Sequence, residues 1–207
     1  MRREKVGAIV LAVSAGLFLL ATSVALVLPR LRRRVQKSEL KNILFIGDSQ
    51  TKPTWSYANK LASKLGVSFQ KIAENGKQTE WMREQISKTD LTPYDAIFVF
   101  GGGNDISASK GERAKQNLDA IYNYVKSKGK ILVAISPPSK ALSTKHNEVQ
   151  KAQNLSLRNF VLNHPLPDLK IDATSIENKT FFSSDNIHLN NAGQSHLSNI
   201  IFSRLKG

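Results

Sequence analysis

A serine, a histidine and an aspartate in this chain have the types and spacing for nucleophilic chemistry. Ser49 follows the apolar run Ile43 to Ile46 and the pair Gly47-Asp48. A buried strand ending there delivers the serine hydroxyl to the strand's carboxyl end, where open α/β folds keep their sites. Ser49 is therefore the first residue to test as a nucleophile. Asp185 and His188, three apart in Ser184-Asp185-Asn186-Ile187-His188, can set a carboxylate against an imidazole across a turn, with the imidazole facing the same sheet edge. Gly101-Gly102-Gly103-Asn104-Asp105 permits tight turns and close backbone approach and presents the Asn104 amide as a donor beside Ser49. The plainer reading stands beside this one: Asp-Ser after a strand is also an ordinary turn or helix cap.

The elements that must position these residues alternate between strand-like and helix-like stretches. Strands are expected at Ile43 to Ile46, Val67 to Ala73, Ala96 to Phe100, Ile131 to Ile135 and Leu169 to Ile171. Helices are expected over Pro53 to Leu65 (stopped by Gly66), Thr79 to Ser87 (capped by Thr79), Glu112 to Ser127, Asn147 to Val161 and Asn190 to Leu205. Five short strands separated by helices predict a three-layer α/β/α sandwich around a central, mostly parallel five-stranded sheet, with no repeat or long linker to divide it. In such a sheet the loops after strands one, two and three, carrying Ser49, Asn75-Gly76 and Asn104, share one edge although they are far apart in sequence.

Four blocks in order give this pattern a family resemblance: Gly47-Asp48-Ser49, then Gly76, then Gly102-Gly103-Asn104-Asp105, then Asp185-Asn186-Ile187-His188. The chain from Lys41 to Gly207 resembles the SGNH hydrolases, also called GDSL esterases or lipases. Two departures stand out. Gln50 replaces the leucine of the family's name, at a position that does no chemistry, and the second block holds a single glycine where many relatives have two. The resemblance implies a serine esterase in which Ser49 attacks an ester carbonyl, His188 takes its proton and Asp185 holds His188 in the right tautomer. It also implies an oxyanion hole of the Ser49 and Gly76 backbone amides and the Asn104 side chain. No cofactor and no metal are implied. The alternative is a set of caps and turns on an inactive domain used for binding or assembly.

The chain has 30 Lys and Arg against 16 Asp and Glu, a net charge of +14, and no cysteine. Disulfides, thiolate catalysis and cysteine metal sites are thereby excluded. Residues 1–5 form a basic flank and residues 6–28 an uncharged, mostly apolar run. As a helix that run would rise about 35 Å, enough to cross a membrane. It is read as a transmembrane anchor, with a cleaved signal peptide as the competing reading. Residues 29–40 follow as a basic juxtamembrane linker, and residues 41–207 as the hydrolase domain. The expected partners are a lipid membrane through residues 6–28 and an ester substrate, such as an acylated cell-envelope glycan. The expected localisation is single-pass membrane, the charge bias leaning toward the domain on the cytoplasmic or interior side. Nucleic acid is disfavoured, because no aromatics interleave the basic run. The rival activities are a phospholipase or thioesterase at the membrane and a membrane-anchored virion or structural protein with a vestigial site. Trp55 and Trp81 are expected to be half-buried packing residues, and His146, His164 and His196 surface or cap residues.

Overall fold

The computed structural model describes residues 35–139 and 145–205. Five strands form its centre: β1 (Asn42–Gly47), β2 (Ser68–Ala73), β3 (Ala96–Phe100), β4 (Ile131–Ile135) and β5 (Leu169–Ile171). They pair in the order β2-β1-β3-β4-β5, every pairing parallel. The helices are α1 (Tyr57–Leu65), α2 (Thr79–Ser87), α3 (Gly103–Ser107), α4 (Gly111–Ser127), α5 (Glu148–Asn163) and α6 (Asn191–Arg204).

Alternation along the strands splits the core into two layers. Ile43, Phe45, Phe98, Val133 and Ile135 face α1 and α6, with Tyr57, Leu61, Leu197 and Ile201 packed against them. Leu44, Ile46, Ile97, Val99, Leu132 and Ala134 face α2, α4 and α5, meeting Met82, Ile86, Leu118, Ile121 and Leu157. β1, β3 and β4 are apolar on both faces because helices cover both faces. This is the three-layer α/β/α sandwich with a parallel five-stranded sheet that the alternation predicts.

Local chemistry sets most of the boundaries. Gly66, at φ +67, ends α1 in the left-handed conformation, its N–H returning to the carbonyls of Ala62 and Ser63. Asn147 opens α5 through a reciprocal capping box with Gln150. α1 begins at Tyr57, later than Pro53, because the residues before it form turns. The folded body also includes Val35 and Leu40, each 3% exposed in the α1/α6 layer, and the Lys37 ammonium sits 4.1 Å over the Phe202 ring. Asp95 receives the backbone N–H groups of Lys41 and Asn42, each at 2.9 Å, which seats the start of β1.

The membrane part of the sequence reading is corrected. No helix among the described residues is long and apolar enough to cross a membrane. The longest, the 17-residue α4, would rise only about 25 Å against a hydrocarbon core of about 30 Å. It is also amphipathic, burying Leu118, Ile121 and Val125 while exposing Glu112, Arg113 and Lys128 nearby. Residues 6–28, expected as a transmembrane anchor, lie outside the described residues. The membrane-anchored activity, the lipid-membrane partner and the single-pass localisation that rested on that anchor are therefore not carried forward.

Candidate active site

The sheet register assembles the site. Ala73, Gly47, Phe100 and Ile135 lie in one row across β2, β1, β3 and β4, so the residues after each strand start level at one edge. The crevice opens beyond β1 and β3, where the sheet order changes direction, the place where open α/β folds bind ligands. The turn after β1 is tight. A Cβ on Gly47 would stand 2.8 Å from the Phe100 carbonyl oxygen and closer still to Thr51 Oγ1, so only glycine lets this turn press onto β3. Asp48 then accepts Gln50 N–H on its carboxylate at 3.0 Å, and its carbonyl accepts the N–H groups of Thr51 and Lys52. Ser49 stands partly exposed at the crown of that turn.

After β3, Gly102 at φ +100 reverses the chain and α3 starts at once, where sequence reasoning has only a glycine loop. Asn104 lies in its first turn and donates Nδ2–H to the Lys77 carbonyl at 2.9 Å. Its neighbour Asp105 is 1% exposed and accepts from Thr79 N–H at 3.0 Å and from Thr79 Oγ1–H at 2.8 Å. Asn117 Nδ2–H in turn reaches Thr79 Oγ1 at 3.1 Å. Burial pushes the Asp105 carboxyl above its ordinary value, and the Thr79 bonds pull part of the way back. The cap of α2 is Gln78; Thr79, expected in that role, is the tie between α2 and the Asn104 turn.

The third component arrives from residues 183–189. His188 Nε2 lies 2.9 Å from Ser49 Oγ, and His188 Nδ1 lies 2.6 Å from Asp185 Oδ2. The partners assign the tautomer: Nδ1–H donates to the carboxylate, which leaves Nε2 to accept from the serine hydroxyl. The other carboxylate oxygen, Oδ1, accepts the backbone N–H groups of Ile187 (2.9 Å) and His188 (3.0 Å). Partial burial of Asp185 would raise its pKa, but the His188 ring bond, these two amides and the attraction of the ring when protonated together hold it down at about 2. The loop is self-bonded. Ser183 N–H donates to the His188 carbonyl at 2.8 Å, Asn186 N–H to the Ser183 carbonyl at 2.9 Å, and Asn186 sits at φ +54. Asn190 caps α6 through Gly193 N–H and donates Nδ2–H to the carbonyls of Thr180 and Phe182.

Of the residues picked from sequence, Ser49, His188 and Asn104 line one cleft, with Phe100, Pro137 and Pro138 on its apolar wall. Asp185 stands behind His188. Gly76 lines a neighbouring depression with Lys77 and Trp81, joined to the cleft through the Asn104 bond to Lys77. The space enclosed by the described cleft residues is about 30 Å³, room for one or two water-sized groups. Two expectations about other residues are revised, those for His146 and Trp55. His146 is 6% exposed, its Nε2 3.0 Å from Ser107 Oγ at the cleft rim. His164 is the C-cap residue of α5, as expected, with its Nε2 3.0 Å from Asp119 Oδ1. Trp55 is 45% exposed, whereas Trp81 packs partly buried against the core. Among the described residues no cluster of three or more His, Asp or Glu side chains gathers to hold a metal.

A parallel α/β/α domain with serine, imidazole and carboxylate in hydrogen-bonded series at its carboxyl edge defines the serine hydrolase class. The chain belongs to the GDSL-like lipase/acylhydrolase family, whose model matches residues 45–196. No curated protein sequence matches it. Among solved structures it is similar to the psychrotrophic esterase EstA from Pseudoalteromonas sp., inhibited there by monoethylphosphonate (12% identity, 79% of this chain and 96% of that one, TM-score 0.62). It is also similar to an acetylxylan esterase from Geobacillus stearothermophilus (12% identity, 79% and 93%, TM-score 0.63). A third is a member of the lipolytic protein G-D-S-L family from Veillonella parvula (19% identity, 80% and 100%, TM-score 0.61). At these identities the likeness is one of fold.

Proposed function

We propose that this serine esterase hydrolyses carboxylic esters of short acyl groups through Ser49, His188 and Asp185. The observation that carries the reading is the unbroken series of Ser49 Oγ, His188 Nε2 at 2.9 Å, and His188 Nδ1 to Asp185 Oδ2 at 2.6 Å. Ser49 Oγ attacks the ester carbonyl carbon as its proton passes to Nε2. The tetrahedral intermediate's oxyanion is met by the Ser49 N–H and by the Asn104 amide, which has two N–H donors and spends one on Lys77. The Gly76 N–H stands next along the loop that Asn104 ties down. Collapse expels the alcohol, which takes the proton from His188 and leaves an acyl-serine. Water then attacks this ester with His188 again as base, releasing the acid and restoring the Ser49 hydroxyl. Asp185, held near a pKa of about 2, stays ionised throughout and steadies the imidazolium.

The short-acyl preference is supported by the short apolar wall that Phe100, Pro137 and Pro138 give the cleft, which suits a methyl or ethyl group. That a protein of similar fold is an acetylxylan esterase agrees with acetyl as one such group. The test is hydrolysis of p-nitrophenyl acetate, butyrate and decanoate by the full-length protein and by Ser49→Ala and His188→Ala. Expected are kcat/KM for acetate at least about tenfold above decanoate, and loss of about 10⁵-fold or more in both variants. Undiminished hydrolysis by the Ser49→Ala protein overturns the assignment, and a preference for decanoate overturns the acyl-length reading.

A further inference from the structure

Gln50 directly follows Ser49, and its side chain reaches the opposite half of the site. Its Nε2–H donates to the Ile187 carbonyl at 3.0 Å and its Oε1 accepts the Leu189 N–H at 3.1 Å. Those two backbone groups flank His188 on either side. The orientation of the amide follows from its partners, because a carbonyl can only accept and a backbone N–H can only donate. A second amide locks the first: Gln194 Nε2–H donates to the Gln50 carbonyl at 3.0 Å and to Gln50 Oε1 at 3.3 Å, while Gln194 Oε1 accepts Tyr57 N–H at 2.7 Å. Both side chains are buried, at 9% and 1% exposure. In that environment an amide keeps its partners because leaving them unmatched is costly.

We propose that Gln50 is a positioning residue for catalysis, a side-chain bridge that fixes the His188 backbone relative to the Ser49 turn and so sets the Oγ to Nε2 approach. The inference rests on the Ser49–His188–Asp185 reading above. Its reason is mechanical. The bonds within residues 183–189 make that loop a closed unit but do not fix where the unit sits over β1. Bonds from the Ser49 turn to this loop do, and two of them come from Gln50, beside the reactive contact itself. A leucine at this position could fill the space but neither donate nor accept. Proton transfer from Ser49 Oγ to His188 Nε2 depends on approach at the level of an ångström, where a misplacement of about 1 Å can cost about 100-fold in rate.

The test compares wild type, Ser49→Ala, Gln50→Leu and Gln50→Glu in the full-length protein, with p-nitrophenyl acetate turnover and the rate of covalent modification of Ser49 by a fluorophosphonate. Gln50→Leu is expected to lower kcat by about 30- to 100-fold with KM within about twofold, and to slow phosphonylation in parallel, well below its own melting temperature. Gln50→Glu keeps the acceptor for Leu189 but not the donor for Ile187, and is expected to lose about 5- to 20-fold in both readouts above the carboxyl's pKa. A residue that only supported the fold would shift the melting temperature and leave the phosphonylation rate of folded protein unchanged. Folded Gln50→Leu with kcat and phosphonylation within twofold of wild type overturns the proposal. Should that variant not fold, the same result for Gln50→Glu overturns it. If Ser49→Ala retains activity, the esterase reading itself fails, and if Ser49→Ala is inactive while both Gln50 variants are not, only the positioning role fails.

Discussion

Ser49 and Asn104 stand on turns that leave β1 and β3, strands buried on both faces, whereas His188 and Asp185 stand on a loop that belongs to no strand and no helix. The first pair is placed by the sheet. Gly47 lies in register with Phe100, the Phe100 carbonyl leaves no room for a Cβ at Gly47, and Asp105 anchors the Asn104 turn to α2 through Thr79. The second pair is placed by a compact set of hydrogen bonds within residues 183–188 and by the Gln50 bridge. A core strand moves only with the whole domain, while a loop held by a few bonds can shift alone. The position of Ser49 is thus a matter of folding, and the position of His188 a matter of local bonding.

The largest expected effect on this contrast comes from Asp185→Asn. It should keep the loop's shape, since an amide oxygen can still accept from Ile187 and His188, but it favours the wrong imidazole tautomer and removes the charge that steadies the imidazolium. A fall in kcat of about 10⁴ is expected, with the variant still folded at neutral pH. Steady-state kinetics beside circular dichroism would show it, and a loss smaller than about tenfold would mean that His188 needs no carboxylate. Asn104→Ala tests the strand-mounted half and should cost less, about 10²- to 10³-fold in kcat. The variant also frees Lys77, so its melting temperature should be recorded alongside. An unchanged rate would remove Asn104 from the oxyanion hole.

The smallest effect is on stability, and its sign follows from the carboxyl's position. Asp185 is held at about 2 in the fold, against about 3.9 in an unfolded chain. A carboxyl lowered by folding stabilises the fold above its unfolded value and loses that contribution as pH falls through the folded value. Wild type should therefore exceed Asp185→Asn by about 1–2 kcal/mol at neutral pH, the figure reduced for the partial exposure of the pair. The gap should close between about pH 4 and about pH 2. Urea denaturation of both proteins across that range measures it. A gap that does not narrow would show that the carboxylate's charge contributes nothing to holding the loop.

Sequence alone determined the ends of β3, β4, β5 and α2, because apolar runs, helical periodicity and flanking turn residues are local signals. It also singled out Ser49, Asn104, Asp185 and His188, since the four motif blocks that carry them stand in order along the chain. Tertiary structure decided what depends on partners far along the chain. Thr79 serves Asp105, 26 residues away, and not the cap of its own helix; His146 is buried against Ser107, 39 residues away. The clearest case is Gln50. Read in the motif it is a leucine replaced without consequence, yet its amide meets Ile187 across 137 residues and Leu189 across 139. A side chain's type states which bonds it can form, but which bonds it does form depends on what the fold brings within about 3 Å of it.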